Sequence, residues 1–379
     1  MGIDWGRLRI EEFPVAESWA YFDHAAVSPI PRRSADQLRA WAGEQESNGC
    51  VNWPMLGQKI EAARADLARL IDADVDEIAF IPNTTHGIGV IAEGFPWQPG
   101  DNVVTADDEF PSNLYPWMNL EGRGVSVRLV PSRDGRIERR EIEAAIDSRT
   151  RVLTISHVEF ATGFRNDLDA LSEFCRNRGV SLFVDAIQGL GPHLLDVRRT
   201  PIDFLAADGH KWLLGPEGAG FLYVRRDWIE RLHPIGIGWH SVVGSFNSSG
   251  LDYRLKPSAS RWEGGTFNMP GLLAFGASVG LFLELGPEEV SRRILERADR
   301  VREIARATGW TIHGPNRPEE ESAIVALERP GVDCVKAARL LREQKVIVAS
   351  RRGRWRVSPH IYNDDTDLDR LERGLASAL

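Results

Sequence analysis

Lysine is scarce in this chain. Of its 46 basic residues only five are lysines (Lys59, Lys211, Lys256, Lys336 and Lys345), so 41 are arginines. Cysteine is scarce as well. Cys50, Cys175 and Cys334 stand far apart, a usage that fits a reducing cytoplasm and makes no metal-ligand spacing. No apolar run reaches the ~20 residues that span a bilayer, so no membrane association is expected. The opening MGIDWGRLRIEEF carries early acids and no apolar centre, so no signal peptide is expected, and it lacks the Ser or Thr of a myristoylation motif. The net charge of -9, without a basic stripe, argues against nucleic acid. Arg351, Arg352, Arg354 and Arg356 form the one basic cluster. No G-x-G-x-x-G follows the first strand, which disfavours a Rossmann oxidoreductase. Repeats, low-complexity tracts and long linkers are also missing.

What remains is an ordinary globular composition, 42% hydrophobic and 27% charged over 379 residues. That length suits two domains better than one.

The chain is organised around residues 182 to 214. The short apolar runs Leu182–Val184 and Phe204–Ala207, bounded by Gly and Pro, read as buried parallel strands. Asp185 ends the first run, with Gln188 at the start of the turn after it. Asp208-Gly209-His210-Lys211-Trp212 ends the second. Ligands of open α/β sheets bind beyond the carboxyl ends of strands, so Asp185 and Lys211 would meet in one crevice. A lysine amine forms Schiff bases with carbonyl compounds. Pyridoxal phosphate is held that way, with an acid on its pyridine nitrogen. By themselves the two residues also allow a helix cap and a surface charge.

DAIQ, HKW and the Gly-rich GPEGAGFLYVR strand together resemble the class V aminotransferase family of fold-type I pyridoxal phosphate enzymes. The family includes cysteine desulfurases, selenocysteine lyases, kynureninases and isopenicillin N epimerase-like proteins. The likeness runs from about Tyr21 to the C-terminus. It implies an α/β fold: a large domain with a mainly parallel seven-stranded sheet, and a smaller C-terminal α/β domain. The expected division is 18–265 for the large domain, with 1–17 and 266–379 forming the small one.

The resemblance also implies roles. Lys211 would hold pyridoxal 5'-phosphate as a Schiff base and Asp185 would face the ring nitrogen. Residues 77–82 read as a strand that runs into Asn83-Thr84-Thr85-His86-Gly87, and a helix is expected over 88–95. Such a junction offers free N–H groups and a helix dipole to an anion, and the family binds the cofactor phosphate there, through Thr84 and Thr85. Plain N-capping by threonine is the alternative. Phe110 would stack on the ring where desulfurases have His, with a core position as its other reading. Gln188 would reach the ring oxygen, because Phe160 stands where desulfurases place an Asn. His210 would contact the phosphate or the lysine loop. Asp208, a carboxylate beside a phosphate, is expected to turn away or to pair with an arginine. Thr266, in a Gly-Gly-Thr segment, would cap the phosphate of a neighbouring subunit, which implies a homodimer. Arg356, in the pattern Arg-x-Ser…Tyr-Asn, would grip the substrate carboxylate. Arg351, Arg352 and Arg354 read as solvated or loop-anchoring. His24 reads as a hydrogen-bonded loop histidine. The Gly/Ser-rich loop of residues 225–256 reads as facing the substrate, with Trp239 and His240 unassigned.

Desulfurases carry a nucleophilic cysteine just before this last arginine, and the short SRRGRW connection here has none. The implied function is a cytoplasmic enzyme acting at Cα or Cβ of an amino acid, nearest the epimerase-like and lyase branch. Transamination, epimerisation, C–S elimination and kynureninase-type cleavage all remain open. The rival reading is a catalytically silent binding or scaffolding protein on the same fold.

Overall fold

Apolar runs buried on both faces become the strands of the main sheet. Every residue of Ile78–Ile81, Asn102–Ala106, Ser181–Asp185, Phe204–Asp208 and Gly220–Val224 is buried in the computed structural model, which describes residues 2–245 and 250–377. Residues 246–249 of the expected substrate-facing loop lie outside the described residues. The sheet has seven strands in the order 78–81, 220–224, 204–208, 181–185, 150–156, 102–106, 126–130. Gly220–Val224 runs antiparallel to both neighbours and the other pairings are parallel. Successive side chains point to opposite faces. Phe183 and Ala206 accordingly join one apolar core, while Val184, Leu205 and Ala207 join the other.

A second sheet is antiparallel throughout, in the order Thr311–Ile312, Val325–Glu328, Arg354–Val357, Ala349–Arg351. Its core stacks Trp310 on Trp355 at 4.6 Å and includes Ala20 and Phe22 from the start of the chain. Two further short strands adjoin: Val346–Ile347 pairs in parallel with Ala20–Tyr21, and Ala349–Arg351 pairs with Arg354–Val357.

Packing divides the chain differently from the expected break at 265. Helix Met269–Leu285 lies on helices Arg32–Asn48 and Trp53–Leu70, and its apolar residues belong to the large core. Ten of its 17 residues are buried and only Glu284 is exposed, so it lacks the broad polar face of a covering helix. In the other direction, Ala20 and Phe22 pack with the small unit.

The segment before Thr266 is fastened by a buried ion pair. Glu263 takes both terminal nitrogens of Arg64, and its Oε1 accepts the Phe80 N–H at 2.7 Å. Removing Glu263 leaves buried Arg64 with Glu61 alone, at 2.9 and 3.0 Å, and the Phe80 N–H without its acceptor. Breaking a buried pair typically costs about 3–5 kcal/mol, and Glu61 keeps the loss at the low end. Glu263→Ala is therefore expected to lower stability by about 3 kcal/mol, read from the urea midpoint. A wild-type midpoint in this variant would show that the pair does not hold the segment.

Candidate active site

Five strands deliver their carboxyl ends to one cavity of about 310 Å³. The edge strand 78–81 leads to Thr84 and Thr85, strand 102–106 to Phe110 and Ser112, and strand 150–156 to Phe160. Strand 181–185 supplies Asp185 and Gln188, and strand 204–208 supplies Asp208, His210 and Lys211. The small unit adds Arg351 and Arg356, and the loop Ala25–Val27 closes one wall. Of the residues given a cofactor or substrate role from sequence, Thr266 alone is away from this cavity; in the single chain it is exposed.

The turn carrying Lys211 is packed from behind. A side chain at Gly209 would come within 2.8 Å of Phe275 on helix Met269–Leu285, so only glycine allows this approach. Burial lowers the Lys211 pKa to about 8, against the opposing pull of Asp185. Asp185 is 2% exposed, and burial raises its carboxyl to about 6. The Ile187 N–H, donated to Asp185 Oδ1 at 3.0 Å, and Lys211 both act the other way. Behind Asp185 lies an acid that the sequence reading overlooked. Glu109 is buried and accepts both the N–H and the hydroxyl of Ser156 at 2.6 Å. Burial pushes its carboxyl up to about 7. Its one signal in the sequence is its place directly before Phe110.

Helix Thr84–Gly94 starts four residues earlier than expected. Asn83 caps it by accepting the His86 N–H at 2.9 Å. A Cβ on Gly87 would sit 2.8 Å from Ile81 and 3.1 Å from Ala206, so the glycine lets this helix start lie directly on the sheet. The Thr84 hydroxyl is buried without a hydrogen-bond partner, and the Thr85 hydroxyl donates to Ser112 Oγ at 2.7 Å. Asp208 lines the cavity instead of turning away. Its Oδ2 lies 3.3 Å from His210 Nδ1, and its buried Oδ1 has no hydrogen-bond partner.

Gln188 is more committed than expected. Its amide oxygen accepts the Trp212 indole N–H at 2.9 Å and its nitrogen donates to Ala25 O at 2.9 Å, which leaves one N–H for a ligand. The Phe110 and Phe160 rings meet edge-on at 5.2 Å, and Lys211 Nζ lies 5.6 Å from the Phe110 ring centre. His24 is fully buried between Ser358 O and the Tyr362 hydroxyl, at 2.7 and 2.8 Å, outside the cavity. His240 packs edge-on to Phe267 at 4.6 Å, again outside it.

Arg356 is 2% exposed and donates to Phe160 O at 3.0 Å and to Asp23 Oδ1 at 3.1 Å, while its Nε has no hydrogen-bond partner. Its neighbours in sequence divide. Arg352 pairs with Asp108 and Arg354 with Glu328, as loop anchors, but Arg351 faces the cavity. Arg352 and Gly353 both have positive φ, 50° and 76°, which closes a two-residue hairpin where desulfurases have their cysteine loop. Cys175 and Cys334 are buried in helices and Cys50 is exposed; none lines the cavity.

The sequence model of the Aminotransferase class-V family matches residues 20–371. The chain is 32% identical over 308 residues to a probable cysteine desulfurase of Methanothermobacter thermautotrophicus, covering 80% of this chain and 75% of that one. It is 32% identical over 330 residues to isopenicillin N epimerase of Streptomyces clavuligerus, covering 83% of each. A crystallised mutant of C-DES, with glycine covalently linked to its pyridoxal phosphate, superposes with a TM-score of 0.90 at 23% identity. That superposition covers 97% of this chain and 99% of C-DES. The protein belongs to the class V aminotransferase family: it is an enzyme of fold type I, and its cofactor is pyridoxal 5'-phosphate.

The residues present fit that cofactor. An unpartnered buried hydroxyl, Thr84 Oγ1, lies in the first turn of a helix, where a phosphate would sit. A buried carboxylate and an amine of lowered pKa lie further in, with Phe110 and Phe160 on the cavity wall.

Only the neutral amine attacks a carbonyl, so loading of the apo chain with cofactor should speed up as Lys211 loses its proton. The rate is expected to rise with pH through about 8 and then level. Asp185 favours protonated Lys211, so Asp185→Asn should move that inflection to lower pH. Stopped-flow absorbance over pH 6–10 checks both; an inflection near the ordinary lysine value of about 10 would contradict the burial argument. Lys211→Ala should lose the borohydride-sensitive yellow absorbance, and keeping it would remove Lys211 from its role.

Proposed function

We propose that this enzyme takes the Cα proton from an amino acid whose carboxylate is held by Arg356, with Lys211 moving that proton, and completes its reaction without a cysteine nucleophile. The observation that carries the reading is the meeting of Lys211, Asp185 and Arg356 in one cavity lined by no cysteine. Bound pyridoxal phosphate supplies an electron sink for the carbanion. The chain's own groups do the rest. Arg356 keeps its Nε free to donate to the α-carboxylate, and its other nitrogens are tied to Asp23 and Phe160. A guanidinium suits this task because its planar donors match a carboxylate. Lys211, with a pKa near 8, can both take and return a proton near neutral pH. Asp185 holds the ring nitrogen in its protonated form.

Persulfide-forming desulfurase chemistry is disfavoured by the tight hairpin at Arg352-Gly353, which leaves no loop to present a thiol. Elimination, epimerisation and transamination all start from this proton transfer. The apolar pair Phe110 and Phe160, together with the likeness to an isopenicillin N epimerase, favours the epimerase-like and lyase side of the family. A silent binding protein would have no use for both Lys211 and Asp185. On the same reading the enzyme is a cytoplasmic homodimer, with Thr266 of each subunit completing the phosphate site of the other, and Thr84, Thr85, Phe110, Gln188 and His210 hold the cofactor.

The test is mass spectrometry of amino acids and cofactor after the loaded enzyme meets an L- and D-amino-acid panel in heavy water. Deuterium at Cα alone marks epimerisation. Keto acid with ammonia or a sulfur species marks a lyase, and keto acid with a changed cofactor mass marks a transaminase. No deuterium and no product across the panel would sink the proposal. Arg356→Gln is expected to raise KM about 100-fold, the loss of a charged hydrogen-bonded contact, while retaining the cofactor's visible absorbance.

A further inference from the structure

We infer that the substrate carries a second anionic group and that Arg351 binds it. This rests on the reading above, in which the substrate is an amino acid seated on Arg356. The first observation is an unbalanced charge. Arg352, Arg354 and Arg356 each face a carboxylate: Asp108, Glu328 and Asp23. Among the described residues Arg351 has no carboxylate within ion-pairing distance, and its guanidinium makes one hydrogen bond, from Nη1 to Ser350 O at 2.9 Å. Acids outnumber bases in this chain, 55 to 46, so a half-buried arginine left without an acid is not explained by a shortage of partners.

The second observation is where this arginine stands. Arg351 lines the active-site cavity and also a neighbouring one of about 380 Å³, so it forms part of the wall between them. The adjoining cavity has room for an extension of the substrate beyond the reacting carbons. Its walls carry three acids: Asp108 is paired with Arg352, Asp107 accepts the Ser132 N–H at 2.8 Å, and Asp134 lies near His313.

The third observation is register. Ala349 pairs with Arg356 and Arg351 pairs with Arg354 across the hairpin, so Arg351 and Arg356 share a face as diagonal neighbours. Trp355 lies on the other face, in the core. Diagonal neighbours in an antiparallel pair stand about 7–8 Å apart at the backbone. Two guanidinium groups that rise from one face and line one cavity suit a short amino acid with a carboxylate, sulfonate or phosphate at its far end. The planar fork of arginine pairs with any of these.

The experiment follows the visible spectrum of the loaded enzyme while it is titrated with matched pairs: L-glutamate against L-glutamine, L-aspartate against L-asparagine, and L-cysteate against L-asparagine. Wild-type enzyme is expected to bind at least one anionic member about 10-fold more tightly than its neutral partner, and Arg351→Gln to bring that ratio to within about 2-fold. Equal binding of acids and amides by wild-type enzyme overturns the inference. So does an Arg351→Gln variant that weakens both members by one factor, because Arg351 would then be serving the α-carboxylate. In both cases the spectral response to the amides leaves the amino-acid reading standing. No response to any amino acid defeats that reading and this inference with it.

Discussion

A buried amine opposite a buried carboxylate is the interaction the site depends on. Loss of water disfavours the charge on Lys211 and on Asp185 alike, and each partly restores the other's charge. Such a pair is useful only if the backbone keeps the two groups in place. Here the sheet does so. Asp185 is in register with Ala206 on the next strand, and the Ala186 N–H donates to Ala206 O at 2.9 Å. Lys211 follows three residues after that neighbouring strand ends, in a turn that closes with Gly215 N–H on Gly209 O at 2.8 Å. The parallel ladder thus sets the separation of the two groups, and helix Met269–Leu285 seals the turn from behind through Phe275.

Much of this is legible in sequence because the strands are apolar on both faces. Runs such as Leu182–Val184 and Phe204–Ala207 have few other uses, and the polar residues after them must fall at strand ends. The start of helix Thr84–Gly94 is harder to read. Thr84 and Thr85 look like loop residues, and it is Asn83, a capping residue in a strand-like conformation, that admits them to the first turn. The domain division is hard to read where a largely apolar helix, Met269–Leu285, gives no hint of which unit it joins. Glu109 escapes notice because its partner Ser156 is 47 positions away, and only the sheet brings them together. In the arginine cluster, Arg356 stands out through its motif, while Arg351 reads like its solvated or loop-anchoring neighbours. Pairing across the hairpin is what separates the residues on the Arg356 face from those on the Trp355 face.

The departures from desulfurases share a direction. On the resemblance, Phe110 stands where desulfurases have a histidine, Phe160 where they have an asparagine, and a two-residue turn where they have the cysteine loop. Each change removes a polar or reactive group from the walls, while the amine, the acid and Arg356 stay. The proton-moving capacity of the cavity is thereby concentrated in Lys211, with Asp208 and His210 next to it.

The parallel pairing of Ala20–Tyr21 with Val346–Ile347 has a consequence for biosynthesis. The two partners are separated by nearly the whole chain, and Phe22, which packs in the same core, waits with them. At typical elongation rates a ribosome takes roughly 15–65 s to cover that distance. Throughout that interval the N-terminal residues have an apolar surface and nothing to pair with. The loop Ala25–Val27, which follows directly and walls the cavity, settles only when the C-terminal strands arrive. The nascent chain can therefore shape its central sheet early, yet it gains a finished active site only after residues 346–347 have been made.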